Sequence, residues 1–120
     1  MRPETILTPT LTAYREFVLR QLHMDKSIVA TLDATGSFST DTPETRALLG
    51  ALGLDGEAGE VTELHKKHFF HGKPMDREKL IHELGDVFWY FTLLLTQHDI
   101  TLDEVVEANV QKLEARYGKR

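Results

Sequence analysis

Cysteine is absent from these 120 residues. That excludes a disulfide framework, a thiol nucleophile and a thiolate zinc site, and it fits a reducing compartment. Proline is scarce, at four residues, and Pro, Gly and Ser never gather into a domain linker. No internal repeat stands out. No N-terminal stretch joins a basic start to an apolar core, so no secretory signal is expected. The longest nearly apolar run, residues 87–95 (VFWYFTLLL), is too short to span a bilayer. Positive charge is in deficit: 14 Lys and Arg face 19 Asp and Glu, for a formal net charge of −5. That balance argues against a nucleic-acid backbone as the main partner. What remains is the size and composition of one soluble, cytoplasmic domain over residues 1–120, 41% hydrophobic and 28% charged. A chain of this length buries roughly two-thirds of its unfolded surface and needs no staples.

Strand signals are weak throughout, and helix signals recur. Thr8 and Pro9 form a helix start, a hydroxyl cap followed by a residue whose missing N–H is harmless there. Leu11, Tyr14, Val18 and Leu22 follow at helical spacing. A polar stretch, Asp33 to Asp41 (DATGSFSTD), separates this N-terminal part, about 1–41, from a longer C-terminal part, about 42–118. Thr42, Pro43 and Glu44 repeat the start signal, with the acid placed well for the helix dipole. That helix is predicted from Pro43 to about Phe69. His71, Gly72, Lys73 and Pro74 make a turn, and a third helix is predicted from near Asp76 to about His98. Thr101 and Glu104 form a T-x-x-E capping box for a fourth, with Gly118 where a left-handed terminal residue belongs. The expectation is an all-α, four-helix-bundle-like chain with short connections.

Two features strain that expectation. Gly50, Gly53, Gly56 and Gly59 recur every third residue, and each costs about 1 kcal/mol in a helix interior relative to Ala. A helix there needs a compensating close approach by a neighbour or a ligand. No G-K-[ST] follows, so the glycines are not a phosphate-cradling loop. The run Val87 to Leu95 is apolar nearly all round, whereas a surface helix shows one stripe. It is either central in the bundle or covered by another subunit; the small size of the chain favours oligomerisation.

Two acidic pairs carry the chemistry. Glu57 with Glu60, and Glu83 with Asp86, are each spaced i, i+3, which puts both carboxylates of a pair on one helix face. Such pairs are common among 19 acidic residues, and most are solvated faces. Context distinguishes these two. The first lies among the glycines, and the second directly precedes the apolar run, where an acid needs a partner or a proton. If helices two and three are antiparallel neighbours, the pairs face each other. Carboxylates about 6 Å apart repel by roughly 3 kcal/mol at an effective dielectric of 20. A hard divalent cation such as Mg²⁺ relieves that frustration. On the fourth helix, Asn109, Lys112 and Arg116 share a face that suits phosphate and a polar ring or sugar; the plainer reading is a basic last turn favoured by the dipole. His65, His68 and His71 read best as a solvated helix end, although two of them could hold a transition metal. Trp89 reads as packing and Tyr90 as a ring that could stack a base.

Three segments in order now carry a resemblance: GLDGEAGEV (Gly53 to Val61), ELGDVFWY (Glu83 to Tyr90) and NVQKLEARYG (Asn109 to Gly118). Over roughly residues 42–118 the chain resembles the MazG-like nucleoside triphosphate pyrophosphohydrolases of the all-α NTP pyrophosphatase superfamily. The resemblance implies a helical bundle completed by dimerisation, often as a dimer of dimers. It implies hydrolysis of a nucleoside or deoxynucleoside triphosphate between the α and β phosphates, in the service of nucleotide-pool control. It implies Mg²⁺, with Mn²⁺ as a substitute, on Glu57, Glu60, Glu83 and Asp86. Glu57 or Glu60 would help deprotonate the attacking water. Asn109, Lys112 and Arg116 would hold sugar and phosphates, and Tyr90 would line the nucleotide pocket. Some members carry a further Glu directly before the first pair; here that position is Gly56, so no base comes from it. Residues before 42 match no motif of the family, and the preferred base stays open. Two alternatives stand beside this reading: a narrow house-cleaning pyrophosphatase for one pyrimidine or damaged deoxynucleotide, dUTP or dCTP in type, and a catalytically weak nucleotide-binding regulatory bundle.

Overall fold

The computed structural model describes residues 10–24 and 42–118. The start signal at Thr8–Pro9 and the polar stretch 33–41 lie outside them. Four helices make up the described chain: α1 (Leu11–Met24), α2 (Pro43–His71), α3 (Arg77–Gln97) and α4 (Leu102–Tyr117). Among the described residues there is no strand, and the fold is all-α.

Each helix begins where its capping residue dictates. The Thr10 hydroxyl accepts the N–H of Ala13 (3.1 Å) at the head of α1. Thr42 accepts the N–H of Thr45 (3.1 Å), with Pro43 in the first turn of α2. Asp76 does the same for Lys79 (3.1 Å) at α3. Thr101 and Glu104 form the reciprocal box at α4: the hydroxyl accepts the Glu104 N–H (3.1 Å) and the carboxylate accepts the Thr101 N–H (2.7 Å). α2 ends at Gly72, whose φ of 67° and ψ of 15° are left-handed and suit a residue without Cβ. Gly118 differs from its expectation. Its φ is 84° but its ψ is 163°, so it leaves the left-handed helical region for an extended one that only glycine occupies comfortably.

The register of α2 against α3 is antiparallel. Going up α2, Gly50 lies against Leu94, Gly53 against Tyr90, and Glu57 meets Glu83 and Asp86. The short connection 72–76 enforces this arrangement. On another side of α3 lies α1. Val18 and Leu22 of α1 close with Leu93 into a buried cluster, and Tyr14, Leu49 and Trp89 pack around it. The Trp89 indole N–H donates to the Gln21 side-chain oxygen (2.9 Å), a second tie between the two helices. So α3 is flanked by helices of its own chain, and that accounts for much of the all-round apolarity of Val87–Leu95. Trp89 packs as its plainer reading had it.

Candidate functional site

The glycine run shows how the site is placed. A Cβ built on Gly53 would stand 2.2 Å from two Tyr90 ring carbons, and one on Gly50 would stand 2.9 Å from Leu94 Cγ. Both separations lie far inside van der Waals contact. The two glycines therefore let α3 approach α2 more closely than any side chain permits. Tyr90 lies flat on Gly53, half-buried, with its edge against the Trp89 ring at 5.0 Å between centroids. One turn on, the helices are held at this spacing and their acidic residues meet.

Glu57, Glu83 and Asp86 each bring a carboxylate oxygen within 4.8 Å of the others. Among the described residues this is the one such group of three or more possible metal ligands. Glu57 and Glu83 are half-buried and Asp86 is exposed. Burial, a hydrogen bond from one carboxyl to the other at Glu83, and the charges of Asp86, Glu83 and Glu60 push the Glu57 pKa upward. The charges that act in that shift are all negative. Glu60 adds to this field, yet it is exposed and stands outside the close group. The site is thus a three-carboxylate nest with a fourth acid at its rim.

Three hard oxygen donors from two rigid helices, with negative charge between them, fit a hard divalent cation such as Mg²⁺. They do not suit a soft or nitrogen-seeking metal. The histidines take no part. Nδ1 of His65 meets the Val61 carbonyl (2.8 Å) and Nδ1 of His68 meets the Lys73 carbonyl (2.8 Å), as side chains of a capped helix end.

The structure does not bring the fourth helix to the nest. Asn109, Lys112 and Arg116 are exposed on α4, and α4 has no buried residue. The main helix contacts of the chain are α2 with α3 and α1 with α3. Arg116 lies instead over the ring of its neighbour Tyr117, 5.8 Å from the centroid. One residue that sequence reading passed over does approach. Tyr14 of α1 packs on Phe88 (centroids 5.3 Å), and burial together with the charge of Asp86 raises its pKa. Its helical spacing marked it as a core position. Nothing in the sequence says that α1 docks beside Asp86.

Gly56 and Gly59 meet nothing: a Cβ on either would find open space within 4 Å. They flank Glu57 and precede Glu60, on the exposed side of α2.

Comparison with known proteins gives the following. The family model for the MazG nucleotide pyrophosphohydrolase domain matches residues 47–120. A protein of Mycobacterium phage L5, named Gene 37 protein, is 33% identical over 102 residues, which covers 79% of this chain and 89% of that relative. No solved structure matches.

Proposed function

Since the chain belongs to the MazG nucleotide pyrophosphohydrolase domain family, we propose that it hydrolyses nucleoside or deoxynucleoside triphosphates between the α and β phosphates, with Mg²⁺ as cofactor. The observation that carries this reading is the nest of Glu57, Glu83 and Asp86, whose oxygens lie within 4.8 Å of one another. Those three residues, with Glu60 at the rim, would hold the ion. Mg²⁺ bound there supplies charge neutralisation for the triphosphate and a water of lowered pKa.

The protein's own residues do the rest. Glu60, exposed at the rim of the nest, or Glu57 within it would accept the proton of the attacking water. Tyr90, fixed on Gly53 one turn from Asp86, borders the nucleotide pocket. Asn109, Lys112 and Arg116 would steady sugar and phosphates, and the two cations would balance charge developing on the phosphoryl oxygens.

That last role requires a second copy of the chain. α4 carries Val106, Val110, Leu113 and Tyr117 along one stripe at spacings of four, three and four residues. They are exposed at 51, 48, 39 and 75%, with nothing among the described residues to cover them. The Cα radius of gyration is 17.5 Å, against about 14 Å for a compact chain of this length. A homodimer or a dimer of dimers that covers this stripe would bring the cations of one protomer to the carboxylates of the other. The open faces of Gly56 and Gly59 suit such an approach.

Phosphorus NMR on the eight common NTPs and dNTPs, each with protein and Mg²⁺, tests the reaction. Monophosphate with pyrophosphate is the expected product pair, and the relative rates name the preferred base and sugar. Diphosphate with phosphate would overturn the cleavage position. A second reading, nucleotide binding without turnover, draws on the separation of Lys112 and Arg116 from the nest. It predicts Mg²⁺-dependent binding by calorimetry and no product.

A further inference from the structure

The turn that joins α2 to α3 is a basic island in an acidic chain. Residues 65–79 hold five Lys and Arg against two Asp and Glu, while the other 105 residues hold nine against 17. Within it stand two neighbouring rings, Phe69 and Phe70, 73% and 80% exposed. Single apolar side chains on a surface need no explanation, but a projecting aromatic pair rimmed by cations marks a place of contact.

The tip is held by its own hydrogen bonds. α2 ends on the left-handed Gly72, and the Lys73 N–H donates to the Lys67 carbonyl (3.1 Å). Nδ1 of His68 meets the Lys73 carbonyl (2.8 Å), and its ring stands edge-on to Phe69 with 5.1 Å between centroids. Asp76 then caps the start of α3. The backbone that carries the rings is thus set before a partner arrives, and binding need not order it.

The tip is also separate from the carboxylate nest. Phe69 lies twelve residues, about 18 Å, along α2 from Glu57. At about 100° per residue, the pair faces roughly opposite to Gly50, Gly53 and Glu57, and so away from α3. Lys66 stands one turn earlier, between the two rings, and Lys67 flanks Phe70. Lys66 has Glu63 at 3.5 Å, an exposed pair of the kind that contributes little.

Shape and charge decide what fits such a tip. Rings this exposed line no groove, so a peptide finds no channel to lie in. Neighbours about 100° apart on a helix form no shared platform for successive bases. A symmetric contact with a second copy would set one basic tip against another. An anionic lipid surface meets both features together. The rings enter the boundary between headgroups and acyl chains, and the lysines stay in the headgroup layer. Burying one such ring is worth roughly tenfold or more in an equilibrium constant, and each Lys beside an anionic bilayer about fivefold.

We propose that the α2–α3 turn is a lipid-docking tip, which seats Phe69 and Phe70 in an anionic bilayer surface with Lys66, Lys67 and Lys73 on the headgroups. Docking there is independent of the reaction assigned to the carboxylates.

The test sediments the full chain with vesicles of equimolar phosphatidylglycerol and phosphatidylcholine, and with vesicles of phosphatidylcholine alone. The chain should bind the first and ignore the second, and salt should weaken the binding. Phe69→Ser with Phe70→Ser should lower it about tenfold or more without lowering Tm, because neither ring is buried. Lys66→Gln with Lys67→Gln should also lower it about tenfold. Phe70→Trp supplies a reporter that bromine on the acyl chains should quench, with Trp89 in the parent as the background. A Glu83→Gln, Asp86→Asn double variant should sediment as the parent does. Absence of binding to the anionic vesicles would overturn the site. So would undiminished binding in the double phenylalanine variant, or no quenching in Phe70→Trp. If vesicles are ignored while the double phenylalanine variant loses self-association in light scattering, the rings belong to a second copy. If it instead loses capture of a single-stranded oligodeoxynucleotide, they belong to nucleic acid; either result overturns lipid docking.

Discussion

The two ends of the α2 glycine run look alike in sequence and differ in structure. Gly50 and Gly53 are filled from outside, by Leu94 and by the face of Tyr90. Gly56 and Gly59 face nothing. The same three-residue spacing therefore serves two ends. The first pair sets the distance between α2 and α3, which fixes where Glu57 meets Glu83 and Asp86. The second pair leaves the surface beside Glu57 and Glu60 bare, so that something else can come close. Glycine is unfavourable in a helix by the same amount at all four positions, but only the first pair recovers it within this chain.

The largest effect should come from the carboxylates that the packed end brings together. Glu57→Gln and Asp86→Asn should each lower triphosphate turnover on the order of a thousandfold or more, the scale on which charge-stabilising groups act in phosphoryl transfer. Far-ultraviolet circular dichroism should stay unchanged, because neither side chain holds the helices together. Normal turnover in both variants would remove the metal-site reading and with it the functional contrast between the ends of the run.

Next in size is the packed end. Gly53→Ala drives a methyl into the Tyr90 ring, and rotation of a flexible chain cannot relieve the contact because the ring lies flat on the backbone. Overpacking of this kind costs about 1–3 kcal/mol, and the ring must leave its place beside the nest. Both Tm and turnover should fall. Gly50→Ala meets Leu94, a more adaptable side chain, and should cost less. Equal melting temperatures for Gly53→Ala and the parent would mean that α3 does not need this approach.

The open end should respond with the opposite sign. Gly56→Ala or Gly59→Ala removes backbone freedom and meets no obstacle in this chain. Each should stabilise the fold by up to about 1 kcal/mol in calorimetric melting of the monomer. If the bare surface serves a nucleotide or a second copy, the same variants should lose kcat/KM or shift the oligomer toward monomer in light scattering. A gain in stability with no other change would show that the open glycines have no such use.

These contrasts also mark how far the sequence was legible. Helix positions were, because each start carries its own chemistry: Thr42 with Pro43, Asp76, and the Thr101–Glu104 box all cap where they stand in the chain. The i, i+3 spacing on neighbouring antiparallel helices put four carboxylates together; Glu57, Glu83 and Asp86 do meet, and Glu60 stands outside their close group. Which glycines were packed could not be read, since that depends on the register that pairs residue 53 with residue 90. Nor could the approach of Tyr14 to Asp86, because the docking of α1 is decided by Val18, Leu22 and Leu93 and not by any local motif.

The smallest effects lie in two glutamates that the fold treats in opposite ways. Glu57 is pushed up by burial and by acidic neighbours, so its protonated form favours the folded state. The stability tied to it is fully present below its unfolded pKa and is lost as pH rises through the folded one. Glu104 is held down by the backbone N–H and hydroxyl of Thr101. The stability tied to it is present above its unfolded pKa and is lost as pH falls through the folded one. Acidifying the metal-free protein from neutrality should therefore first raise Tm, as Glu57 takes its proton, and then lower it, as Glu104 gives up its cap. Glu57→Gln should flatten the limb nearer neutrality and Glu104→Gln the acid limb. Mg²⁺ at neutral pH should raise Tm as protonation of Glu57 does, because both quench the same repulsion, and this gain should vanish in Glu57→Gln. A Tm that falls steadily from neutrality in the metal-free protein would show that the carboxylate nest is not under electrostatic strain.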